Sequence, residues 1–190
     1  MAGYDFEDLK VLVVDDNRHM RMLFRDLLRT IGVGQVFEAD NGLSGFRQLK
    51  NADVDVVITD LMMQPIDGLQ FARMVRDEAL SPDPYVPIVM VTGFADKQRV
   101  VEARDAGVTE FLAKPVTTDS LYGRLGAIIE RPRPFVRAGS FFGPDRRRRD
   151  IPPPPEGDRR SEDNDDGANT PGLRPTTSPL TIAAPDTVDS

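Results

Sequence analysis

The chain has no cysteine among its 190 residues and a single histidine, His19. The first absence rules out disulfides and thiolate metal sites, and any metal must be held by oxygen. His19 falls in the first turn of a predicted helix and reads as a solvated surface residue rather than a phosphotransfer group. No apolar run approaches the roughly 18 residues that a membrane helix requires, and MAGYDFEDLK lacks the basic-then-apolar order of a secretory signal. A cytoplasmic location without a membrane is the expectation. Net positive charge is also missing where a fold could form. Residues 1–130 carry 14 Lys/Arg against 21 Asp/Glu, which argues against unaided nucleic-acid binding.

What is present is distributed unevenly. Of the 16 prolines, 11 lie in 131–190, together with the runs RRRR and PPPP. That stretch buries too little apolar surface to offset its ordering entropy. The chain therefore divides into a globular part, 1–130, a basic Pro- and aromatic-containing extension, 131–155, and a disordered acidic tail, 156–190.

Within 1–130 the patterning alternates between strand and helix. Leu9–Val14, Gln35–Ala39, Val54–Thr59, Ile88–Thr92 and Phe111–Ala113 read as short buried strands. Arg18–Ile31, Leu43–Leu49, Leu69–Glu78, Ala95–Ala106 and Thr118–Glu130 carry helical spacing, and Gly32 and Gly107 close two of these helices. Five repeats predict an α/β doubly wound parallel sheet with right-handed crossovers and five helices. Ligands of such sheets bind beyond the C-terminal strand ends. That edge is where the unusual polar residues fall: Asp15 and Asp16 after the first strand, Asp60 after the third, Thr92 at the end of the fourth and Lys114 after the fifth.

Three carboxylates in one pocket remain ionised only beside a cation, and an all-oxygen donor set points to Mg²⁺. Lys114 and Thr92 could each hold an oxygen of a phosphoryl group arriving at Asp60, the nucleophile that would become an acyl phosphate. Singly, each residue has an ordinary explanation: an acidic N-cap, a strand-end hydroxyl, an exposed lysine. Their joint spacing does not, with 44, 32 and 22 residues separating Asp16, Asp60, Thr92 and Lys114.

These residues, with Asp67-Gly68, Val91-Thr92-Gly93, Phe111 and Lys114-Pro115, resemble the receiver domain of two-component response regulators over about 1–130. The resemblance implies a flavodoxin-like sheet of order 2-1-3-4-5, the chemotaxis-receiver order that the general description of this fold already includes. It implies Asp60 as phosphoacceptor, Asp16, Asp15, Asp60 and the Met62 carbonyl as Mg²⁺ ligands, and Thr92 with Phe111 as a switch pair. A cis Lys114-Pro115 bond is implied as well. The expected partners are a sensor histidine kinase or histidine phosphotransfer protein, and a downstream protein binding the face made by the last two helices and the fifth strand. Oligomeric state is left open.

Three departures from the family pattern bear on this expectation. Gln64 takes the place of the usual proline, which is displaced to Pro65. Gly93 replaces the commoner alanine. Met62 and Phe94 are apolar where acids or amides often position a hydrolytic water, so slow dephosphorylation is expected.

Two other function classes are weighed. A nucleic-acid or nucleotide-binding regulator would act through Arg146–Arg149. An Asp-nucleophile phosphatase of the haloacid type would need a second acid where Met62 stands. The extension, which resembles one found in some bacterial receiver proteins, could instead dock Phe135, Phe141 and Phe142 on its own receiver or on a partner.

Overall fold

The apolar residues of each strand are split between two faces, and this split decides the architecture. Val11 and Val13 of the first strand point to one core and Leu12 and Val14 to the other, as a two-residue period requires of a strand covered on both sides. The computed structural model describes residues 4–93, 97–139 and 141–145, all within one compact unit, Met1–Arg149. Phe94 and the segment 146–190, with Arg146–Arg149 and the acidic tail, lie outside the described residues.

The order of elements is β1 (Lys10–Val14), α1 (Arg18–Thr30), β2 (Gln35–Ala39), α2 (Gly42–Asn51), β3 (Val56–Asp60), α3 (Gly68–Arg76), β4 (Ile88–Thr92), α4 (Lys97–Asp105), β5 (Glu110–Ala113), α5 (Thr118–Glu130), β6 (Phe135–Ala138) and β7 (Phe141–Pro144). The first five strands form one parallel sheet in the order β2-β1-β3-β4-β5. Phe24, Leu28, Leu121, Leu125 and Ile128 from α1 and α5 cover one face. Phe46, Leu49, Phe71, Val75 and Ala103 from α2, α3 and α4 cover the other.

Several predicted boundaries shift for local reasons. β3 begins at Val56 rather than Val54 and includes Asp60, so the acid is the last residue of the strand. Asn41 and Asp67 cap α2 and α3, each in a reciprocal box with the residue three further on, Ser44 and Gln70. Both helices therefore start one residue earlier than their first apolar position. β5 gains Glu110, which pairs with Val89.

The larger difference lies past residue 130. β6 and β7 pair antiparallel as a hairpin around Gly139 (φ +58), where the sequence suggested only an extension. The hairpin packs on the body that carries the parallel sheet. The Phe135, Phe142 and Tyr85 rings have centroids 5.1 to 5.6 Å apart, and Arg133 and Arg137 form ion pairs with Glu110 and Glu78. Of Phe135, Phe141 and Phe142, the three rings expected to dock, Phe135 and Phe142 meet Tyr85 of the chain's own globular part.

Candidate functional site

At the C-terminal edge of the sheet, β1, β3, β4 and β5 each end within one register step of the neighbouring strand. Asp60 pairs with Val91, and the Lys114 amide donates to the Thr92 carbonyl at 2.9 Å. Sequence positions as far apart as 15 and 114 are brought to one place by this alignment.

Asp60 is 8% exposed. Its Oδ1 accepts from Lys114 Nζ at 2.6 Å and its Oδ2 from the Met62 amide at 3.1 Å, so both oxygens are oriented before any ligand arrives. The Lys114-Pro115 bond is cis, as the resemblance implied, and so is Gln64-Pro65 in the loop after β3. Thr92 is buried at the end of β4. Phe111 is half-buried beside Met90, on the face covered by α2, α3 and α4.

Asp15 and Asp16 divide their roles. Asp15 is 2% exposed, with Oδ1 accepting from the Asn17 amide at 2.8 Å and Oδ2 buried without a hydrogen-bond partner. Burial raises its carboxyl above the ordinary aspartate range, and the charges of Asp60 and Asp16 add to that. The Asn17 N–H and Lys114 pull the other way. Asp16 is exposed. Among the described residues no three Asp, Glu, His or Cys side chains are grouped closely enough to hold a metal by themselves. Of the two neighbouring acids, Asp15 is buried and Asp16 is exposed, the alternation expected of consecutive residues at a strand end.

The donors still fit a magnesium ion. Mg²⁺ keeps several waters and needs only one or two carboxylates. Asp15 and Asp60 would supply these, and Asp15 Oδ2 is buried without a hydrogen-bond partner, an acceptor that a cation would satisfy.

One contact of the site escaped the sequence reading, in which Asp67-Gly68 served only as part of the family resemblance and was given no role. The Gly68 amide donates to the Leu61 carbonyl at 2.9 Å, and a Cβ there would fall 2.3 Å from the Asp60 carbonyl oxygen. Glycine is required for α3 to start this close to the acid. The sequence signal was its fixed place after the capping Asp67, but the contact itself depends on the path of the loop.

Comparison with known proteins gives a consistent picture. The description of the response regulator receiver domain matches residues 11–126. The chain is 36% identical over 126 residues to chemotaxis protein CheY-3 of Vibrio cholerae, covering 66% of this chain and 95% of that one. It is 36% identical over 124 residues to chemotaxis protein CheY of Pseudomonas aeruginosa, covering 65% and 98%. Among solved structures, CheY4 of Vibrio cholerae superimposes with a TM-score of 0.59 at 28% identity, covering 63% of this chain and 98% of that one.

Proposed function

Because the chain belongs to the response regulator receiver domain family, a component of two-component signalling, we propose that Asp60 accepts a phosphoryl group from a phosphohistidine on a sensor kinase or phosphotransfer protein. The observation that carries this is the preset carboxylate of Asp60, buried, held by Lys114 at 2.6 Å and by the Met62 amide. In the transfer, an Asp60 oxygen forms a bond to phosphorus while the N–P bond breaks and the imidazole leaves. Lys114 moves from the bare carboxylate to a phosphoryl oxygen, a short shift within the reach of its side chain. The Thr92 hydroxyl donates to a second oxygen. Mg²⁺, held by Asp15, Asp16, Asp60 and the Met62 carbonyl, would neutralise charge on the transferring group when bound.

Output follows from the space that Thr92 leaves. Phe111, one strand over and half-buried, turns inward behind it, and the α4–β5–α5 face changes its affinity for a downstream protein. Met62 is 61% exposed and apolar, offering no group to orient an attacking water, so the acyl phosphate hydrolyses slowly. The protein acts as a phosphorylation-controlled binding module or relay intermediate, and its only chemistry is on itself.

The test is phosphotransfer profiling against candidate kinases with the wild type and Asp60→Asn side by side. Label on the wild type and none on the variant is expected. Equal labelling of both would mean that another residue accepts the phosphoryl group.

A further inference from the structure

The hairpin β6–β7 contacts the receiver at the end of the sheet opposite Asp60, on the elements whose rearrangement would carry the signal from a phosphorylated Asp60. Glu110, the first residue of β5, has its carboxylate shared by two arginines. Arg124 of α5 donates to Oε2 at 2.8 Å and Arg133, in the stem of the hairpin, to Oε1 at 2.6 Å. The Glu110 side chain is 12% exposed, while Arg124 and Arg133 are 37% and 24% exposed, so the carboxylate is buried and its two cations face partly into solvent, where screening weakens the pairs.

A second tie runs through the turn between α4 and β5. Gly143 of β7 is buried against Gly107, close enough that a Cβ on Gly143 would lie 3.0 Å from the Gly107 Cα. A third runs through Arg76, which is 5% exposed and pairs with no acid among its hydrogen bonds. Its Nε donates to the Gly107 carbonyl at 2.9 Å and its Nη1 to Pro84 and Val86 at 2.8 Å. Phe135 closes over it, with the ring centroid 5.0 Å from the guanidinium carbon.

β5 joins the two ends of this system. Four residues separate Glu110, clasped by the hairpin stem, from Lys114, held on Asp60, a span of about 13 Å along an extended strand. Phe111 lies between them. We propose that the hairpin is an in-cis strap that holds the α4–β5–α5 face in its unphosphorylated arrangement, so that hairpin docking and phosphorylation of Asp60 oppose one another.

The direction follows from what is tied. The docked hairpin, the Lys114–Asp60 pair and a half-buried Phe111 occur together in one arrangement, and the strap pins the Gly107 turn and the start of β5 within it. An outside protein that binds the lower part of this face must displace the strap. The seat is also incomplete: a cavity of about 250 Å³ lies between the stem and the body, walled by Pro87, Ala127, Ile128 and Phe135. Contacts forgone around such a void lower the free energy needed to detach the segment.

The inference rests on Asp60 being the acceptor, and its test separates the two ideas. Full-length protein is titrated with beryllofluoride and Mg²⁺, a phosphoryl stand-in, and followed by fluorine NMR for binding and by hydrogen exchange for the amides of 135–143. Binding is expected to speed exchange in the hairpin at least about fivefold. By reciprocity, Arg133→Gln and Phe142→Ala should each bind beryllofluoride about fivefold more tightly than the wild type. Bound beryllofluoride with unchanged or slower hairpin exchange, and unshifted midpoints in both variants, overturns the strap alone. No binding by the wild type overturns the assignment of Asp60 and the strap with it.

Discussion

Asp15 shows how a single side chain can link stability to ligand binding. Its carboxyl is raised first by burial and then by Asp60 and Asp16, so the folded protein holds that proton more tightly than the unfolded chain does. The associated stability is fully present below the ordinary aspartate range and is lost as pH rises through the raised value. Chelator-treated protein should therefore lose stability as pH rises above the ordinary aspartate range, and Asp15→Asn should flatten that slope. Urea unfolding across the pH range checks this, and an identical slope in the variant would contradict it. Gly68 shows the opposite case, a residue with no chemistry of its own. A Cβ 2.3 Å from the Asp60 carbonyl oxygen meets backbone that cannot swing aside, so Gly68→Ala should cost about 2–3 kcal/mol in denaturant unfolding. A loss within experimental error would mean that the α3 entry relaxes freely. The acids were legible in the sequence because each follows an apolar run that ends in a strand. Gly68 was not, because its constraint comes from a loop doubling back on Asp60.

At the scale of elements, β4 and α5 coincide with their predicted limits because each is a continuous periodic run with a clear boundary, Pro87 before one and Thr117 capping the other. The hairpin was missed as structure for a physical reason. Its strands have four residues each, contain Arg, Gly and Pro, and show no alternation strong enough to mark a buried face. Two such strands are not stable by themselves, and what orders them is the surface prepared by Arg76, Tyr85 and Gly107. Arg76 carries no such signal in the sequence, yet it knits α3, the following loop and the α4–β5 turn through three carbonyls. Truncation to alanine would leave buried acceptors without donors and uncover the Phe135 ring. Arg76→Ala should cost about 3 kcal/mol and raise hydrogen exchange in the hairpin as well as in the Gly107 turn. A loss confined to the end of α3 would argue that these elements are held independently.

For the molecule as a whole, the parallel sheet turns a scattered sequence pattern into a site at one edge. Asp15, Asp60, Thr92 and Lys114 come from four strand ends and meet because the strands stop in step. The opposite edge carries the strap, so the fold separates the place where phosphoryl chemistry would occur from the place where the chain holds itself closed. Alternating strand and helix patterns made this arrangement legible, down to the strand order that the resemblance implied. The hairpin's seat was not legible, since it is assembled from the α3–β4 loop, the α4–β5 turn and α5.

The central claim is that one carboxylate carries the phosphoryl group, and chemical trapping addresses it directly. Protein incubated with a small-molecule phosphodonor and Mg²⁺ is reduced with borohydride, which converts an aspartyl phosphate to homoserine, and the modified peptide is mapped. The account predicts homoserine at position 60 and nowhere else, dependent on both donor and magnesium. Homoserine at Asp15 or Asp16, or none at all in protein that remains folded, would contradict it.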